Sequence, residues 1–203
     1  MLTIWGRLNS HNVKKVAWFA EEIGLAHVRH DIGGAFGMTD AYRALNPNGL
    51  IPTIEEDGLV LWESNTILRY LAARHAADRF WPADPALRAA GDKWMDWQFT
   101  FADAQRDAFV NLVRRAPDAR DPAAIATSAA ATARLMGIVE DALAPTGWLS
   151  GDTFGLGDIP LGVYAHTWLS LAIDRPDLPN VRAWYQRLTA MPAYAGTVMV
   201  PLT

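Results

Sequence analysis

A chain of 203 residues can form one large domain or two small ones, and with 51% apolar and 20% charged residues it is not a disordered chain. Its net charge of −4, with no block of Lys or Arg, gives no electrostatic support for nucleic-acid or anionic-membrane binding. It has no cysteine, which excludes disulfides, thiolate metal sites and any mechanism that needs a protein thiol. No apolar run approaches the length of a membrane span, and Met1 to Trp5 reads as a first strand rather than a signal peptide. The expectation is a soluble, cytoplasmic protein.

Leu2 to Trp5 reads as a strand, followed by a loop from Gly6 to Asn12. Val13, Val16, Ala17, Ala20 and Ile23 then fall at helical spacing, with Gly24 as a stop. His27 to Ile32 is a second strand, parallel to the first if the helix crosses over. A glycine-rich loop through Phe36 leads to a short helix from Thr39 to Leu45. The stretch Asn46 to Ser64, NPNGLIPTIEEDGLVLWES, holds a turn cluster, a short β-branched run, a Glu56-Asp57-Gly58 hairpin signal and a returning strand. Ser64 is placed to cap a helix whose apolar stripe is Ile67, Leu68, Leu71 and Ala72. The order is β-α-β-α-β-β-α, and the first domain spans residues 1–76.

A linker marked by Pro82 and Pro85 follows, after which alanine dominates and no strand is evident. Leu87, Ala90, Trp94, Trp97, Phe101, Ala104 and Ala108 form the stripe of one long helix. Asp121-Pro122 opens another helix, and Asn180 caps a later one. Between them, Asp158 can reach back to the N–H of Gly155 while Phe154 and Ile159 clamp the helix start, so Asp158 is assigned to folding rather than catalysis. Residues 86–203 are expected to be all-helical.

Pro52 interrupts a strand, where proline removes a ladder donor. A cis peptide between Ile51 and Pro52 would turn the backbone of Ile51 outward, ready to pair with a peptide-like ligand. The start of the Ser64 helix offers unpaired N–H groups to a carboxylate a few residues later. NPNG-x-IP followed by x-ES-x-x-I-x-x-Y-L resembles the glutathione-binding half of the glutathione transferase family. The resemblance extends to both halves of the chain. It implies a thioredoxin-like α/β N-terminal domain and an all-α C-terminal domain. It also implies glutathione as co-substrate without a metal, with Leu50, Ile51 and Pro52 along the tripeptide and Glu63 and Ser64 holding its γ-glutamyl end. Leu50 departs from the family, which often has Lys there.

A free thiol has a pKa near ~8.5, and lowering it by about two units takes about 2.7 kcal/mol of thiolate stabilisation. A charge-assisted hydrogen bond (~1.5–3 kcal/mol) and a helix N-terminus (up to ~1 kcal/mol) can supply this. Ser10 stands in the loop where both converge, six residues before Val16, and matches the activating hydroxyl of serine-using branches of the family. Asn12 is the rival donor within the S-x-N-V-x-K-V pattern, and plain helix capping is the non-catalytic reading of both. His11 as a general base ranks low, and Lys14 and Lys15 are read as solvated helix-face charges. By the resemblance, an electrophile pocket is expected between the domains, lined by Trp5, Arg7, Phe36, Trp97, Phe101 and His166. The resulting expectation is a homodimeric detoxification enzyme in which glutathione thiolate attacks a small hydrophobic electrophile. The alternatives are a glutathione-dependent peroxidase or dehalogenase and a non-catalytic interaction protein on the same scaffold.

Overall fold

The computed structural model describes all 203 residues, which divide into two compact units, Met1–Ala83 with Met191–Val200 and Asp84–Ala190 with Pro201–Thr203. In the first unit the order is β1 (Leu2–Trp5), α1 (His11–Glu22), β2 (His27–His30), α2 (Asp40–Leu45), β3 (Thr53–Glu56), β4 (Leu59–Trp62), α3 (Ser64–His75) and the short α4 (Ala77–Phe80). The strands form one sheet in the order β2-β1-β3-β4. β1 and β2 run parallel, with Leu2 opposite His27, as the α1 crossover requires. β3 is antiparallel to both β1 and β4. Asp57 (φ +49°) and Gly58 (φ +84°) make the two-residue β3–β4 turn, in which both central residues take positive φ.

Leu2, Ile4 and Ile54 from the sheet pack with Val13, Val16, Ala17 and Ala20 of α1 and Ile67, Leu68 and Leu71 of α3 as a fully enclosed core. Glu56, nearly buried, accepts from the Tyr70 hydroxyl (2.8 Å) and meets His75 Nε2 (2.9 Å), which ties the hairpin to α3.

The second unit contains α5 (Pro85–Phe109), α6 (Pro122–Leu143), α7 (Asp158–Ser170) and α8 (Pro179–Thr189). α5 runs on into a π-helical turn over Val110–Arg114. Pro85 is not linker but the first residue of α5, behind Asp84, whose side chain accepts from Ala86 N–H (2.8 Å). Asp121 caps α6 through Ala123 and Ala124, as the Asp-Pro pair predicts. The buried stripe of α5 runs through Gly91, Trp94, Met95, Gln98, Phe101, Gln105 and Ala108, while Leu87 is 60% exposed. This face lies part of a turn from the stripe of threes and fours that starts at Leu87, because two of its buried positions, Gln98 and Gln105, carry polar side chains.

α6 also amends the reading that no stretch approaches a membrane span: an 18-residue window in it has a mean hydropathy of 1.3. Alanine supplies this value, and the helix packs against α5 and α8.

Two helix starts differ from expectation. α3 begins at Ser64 itself, with Glu63 in the capping position. α8 begins at Pro179, and Asn180 instead gives its N–H to the Glu140 carboxylate (3.0 Å), which also receives Val181 N–H (2.9 Å). A glutamate from α6 thus does from outside what a capping side chain would do locally. The boundary expected for residues 86–203 is also corrected: α9 (Pro192–Thr197) belongs with the first unit. Tyr194 of α9 packs edge-on against Trp18 at 4.8 Å, and the Lys14 ammonium donates to the Val198 carbonyl at 2.9 Å.

Candidate functional site

Three chain segments of the first unit meet around one small cavity, lined by Asn12, Asn46, Leu50, Ile51, Pro52, Glu63 and Ser64. The Ile51–Pro52 peptide is cis. Ile51 lies outside the sheet, since β3 starts only at Thr53. The loop is held from behind. The Tyr42 hydroxyl donates to the Leu50 carbonyl (2.5 Å) and is 2.9 Å from Thr53 Oγ1. Asn46 Nδ2 donates to the same carbonyl (2.9 Å) and to Thr53 Oγ1 (3.1 Å), while Asn46 Oδ1 accepts from Asn48 N–H (3.1 Å). Tyr42 and Asn46 are site-supporting residues that sequence reasoning missed; the turn cluster NPNG carried the signal, as an Asx turn. Gly6 makes room for the approach, because a Cβ there would lie 2.4 Å from Val13 Cγ2 and 3.2 Å from Ile51 Cβ.

At the other end of the cavity, Glu63 has φ +72° and ψ +108°, a conformation that L residues other than glycine seldom take and that costs of order 1–3 kcal/mol. Ser64 follows as the first residue of α3, so the helix start, with its N–H groups pointing away from the helix body, lies at the cavity wall. The Ser64 hydroxyl donates to Asn12 Oδ1 (3.3 Å), which links the starts of α1 and α3.

Ser10 occupies the N-cap position of α1 with extended dihedrals, yet its side chain makes no capping hydrogen bond. Its carbonyl accepts from Lys14 N–H and its own N–H goes to the Arg7 carbonyl (3.1 Å). Plain capping therefore does not account for the hydroxyl. Ser10 does not line the cavity, whereas Asn12 does.

Lys14 and Lys15 are not solvated. They are 2% and 0% exposed, a correction that follows from where α1 sits between α3 and α9. Burial lowers the Lys14 pKa from 10.5 to about 8. For Lys15 burial lowers it to about 7, against an upward pull from Glu63. The Lys15 ammonium lies 3.4 Å from both Ser64 Oγ and Asn65 Oδ1.

Of the residues expected around the electrophile, Trp5 donates from Nε1 to Glu55 (2.7 Å) and meets the His30 ring at a tilt of 34°, centroids 4.7 Å apart. Arg7 donates to Asn9 Oδ1 (2.6 Å), and Phe36 is 59% exposed. In the second unit, half-buried Trp97 meets Trp94 edge-on at 5.4 Å and borders a recess with Lys93 and Ile138. Phe101 has no exposed surface and is a core residue. His166 is nearly buried, with Nδ1 2.8 Å from the Tyr185 hydroxyl. For these two, aromatic character at helical spacing reflects packing within the helical unit.

Residues 9–74 match the family model for the glutathione S-transferase N-terminal domain, and residues 122–187 match that for the C-terminal domain. The glutathione S-transferase GstB of Escherichia coli K12 is 42% identical over the whole of both chains. The disulfide-bond oxidoreductase YfcG of the same strain is 28% identical over 90% of this chain and 87% of its own. Among solved structures, the theta-class glutathione S-transferase from Xanthomonas axonopodis pv. citri with glutathione bound superposes with a TM-score of 0.95 at 50% identity, covering 100% of this chain and 99% of that one. The chain belongs to the glutathione S-transferase family.

Proposed function

We propose that the chain is a glutathione transferase that holds the tripeptide along Leu50, Ile51 and Pro52, grips its γ-glutamyl end at Glu63 and Ser64, and keeps its sulfur ionised for attack on a small hydrophobic electrophile. One observation carries this reading: a cavity where the backbone of Ile51, outside the sheet, meets a helix start fronted by the strained Glu63. Backbone N–H and C=O groups at Ile51 pair with a peptide as an added strand would, and the helix start favours a carboxylate. Glu63 supplies the negative charge for the tripeptide's ammonium group. With no cysteine in the chain, the nucleophilic sulfur belongs to the ligand.

Ser10 is the activating donor in this reading, because its hydroxyl stands at the positive end of α1 without being spent on a cap. A second reading assigns the role to Asn12, which borders the cavity and whose Oδ1 is fixed by Ser64, leaving its Nδ2 to donate. Exposed Phe36, with Trp5 and Arg7, forms the part of the first unit proposed to meet the electrophile. A homodimer is supported by Leu59, Val60 and Trp62, all partly exposed on the edge strand β4. Detoxification in the cytoplasm fits a dependence on reduced glutathione and a chain free of disulfides.

The test is conjugation of glutathione to an aryl halide by wild type, Ser10→Ala and Asn12→Ala. The proposal expects one of the two variants to lose most of its kcat while still binding glutathione. Full activity in both would overturn the assignment, and no retention on a glutathione column would overturn the binding site.

A further inference from the structure

A buried lysine at the start of a helix is electrostatically misplaced. The α3 N-terminus carries partial positive charge, and the Lys15 ammonium lies against its first two side chains, 3.4 Å from Ser64 Oγ and from Asn65 Oδ1, with no exposed surface. Two positive centres in one desolvated place raise each other's energy, and Glu63, the anion at the head of the same helix, offsets only part of the burial cost of Lys15. The cavity beside them is bordered by Ser64 and Asn12, and the Ser64 hydroxyl connects the two: it faces Lys15 on one side and donates to Asn12 Oδ1 on the other. The fold therefore directs a buried cation, through one hydroxyl, at the place where the proposed function puts a carboxylate.

We propose that Lys15 is a positioning residue of the glutathione site, whose ammonium completes the γ-glutamyl carboxylate subsite at the start of α3 and is charged by proton uptake when the tripeptide binds. The inference rests on the glutathione-binding reading given above.

The surroundings of Lys15 make it the group that answers to the ligand. Glu63 is the charge that acts on it, and its pull is upward. On its own helix, Lys14 turns its ammonium to the Val198 carbonyl. β1 and α9 bring no carboxylate or basic side chain against α1, and Tyr194 of α9 packs on Trp18. Further along α3 come Arg69, Arg74 and His75, of which Arg74 pairs with Asp57 and His75 with Glu56. With Lys15 lowered to about 7, much of the free protein is neutral there at pH 8, and an incoming carboxylate shifts the balance to the charged form. Affinity should then fall by about tenfold between pH 6.5 and 8.5.

The experiment is calorimetry at pH 8 with S-methylglutathione, which has no thiol proton to release, in two buffers of different ionisation enthalpy. Wild type is expected to take up about half a proton or more per ligand beyond Lys15→Arg, which stays charged throughout. Lys15→Met is expected to bind about tenfold more weakly at pH 6.5, with no excess uptake and a flatter pH dependence. Binding by wild type with the same proton uptake as Lys15→Arg would overturn the role of Lys15 alone. No binding by wild type at any pH would overturn the glutathione site, and this inference with it.

Discussion

Asp158 offers the most direct check on the reasoning used for buried polar groups. Its carboxylate is fully buried in the second unit and accepts four hydrogen bonds, two on each oxygen. Oδ1 receives Leu149 N–H (2.8 Å) and Trp184 Nε1–H (3.0 Å), and Oδ2 receives Gly155 N–H (3.1 Å) and Ser150 N–H (3.3 Å). Burial raises its pKa, and the donors pull it back. Asp158→Ala leaves four donors facing an empty space. A bond to a charged acceptor contributes about 1.5–3 kcal/mol, but the four share one group and removing it also recovers the cost of burying a charge, so the net loss is about 3–5 kcal/mol. Asp158→Asn keeps one oxygen and turns an NH2 group toward the other two donors, for a loss of about 2–4 kcal/mol. In a chain of this length that corresponds to a Tm lower by about 10 °C, read by urea and thermal unfolding. The KM for glutathione, whose proposed site is in the first unit, should be unchanged in the folded fraction. A loss below about 1 kcal/mol in Asp158→Ala would refute the view that this carboxylate organises the Leu149–Asp158 turn.

Three further outcomes are expected. Ser10→Ala should lower kcat about 10- to 100-fold, the equivalent of one charge-assisted hydrogen bond to the thiolate, with KM for glutathione little changed in steady-state conjugation assays. Leu50, 64% exposed, occupies the position where the family often has Lys; Leu50→Lys should lower the KM for glutathione about threefold at low salt, and the gain should vanish as salt is added. Lys15 has a folded-state pKa of about 7 against 10.5 unfolded, so between those values the unfolded chain holds a proton that the folded one lacks, and stability rises with pH there. Below pH 7 the burial cost is fully present. Lys15→Met should therefore be about 2–5 kcal/mol more stable than wild type at pH 6, with the advantage shrinking toward pH 10 in urea titrations.

Local signals in the sequence were strong where one residue type answers to one backbone requirement. Asp57-Gly58 gave the positive-φ turn, Asp121-Pro122 gave a cap and first turn, and Pro52 within a β-branched run pointed to the cis bond that the structure contains. Signals failed where the partner comes from elsewhere in the chain. Lys14 and Lys15 read as solvent-facing because lysine counts as polar in any amphipathic pattern; whether α3 and α9 cover that face is a matter of tertiary packing. α9 carries nothing in its own sequence to say that it returns to the first unit. The cap at α8 is a glutamate forty residues away on α6, outside any window that reads capping from sequence. At the candidate site the Ile51–Pro52 bend, Glu63 and Ser64 were legible and the NPNG turn marked Asn46, while Tyr42 acts through hydrogen bonds to the Leu50 carbonyl and Thr53 Oγ1 that no pattern marks.

The central claim concerns the ionisation of a bound sulfur, and titrating thiolate absorbance of the glutathione complex against pH measures it directly. Wild type should show the bound thiol ionising about two units below its free value of ~8.5, and Ser10→Ala should return it most of the way. A bound thiol that titrates like free glutathione in wild type, or whose shift survives in both Ser10→Ala and Asn12→Ala, would contradict the account.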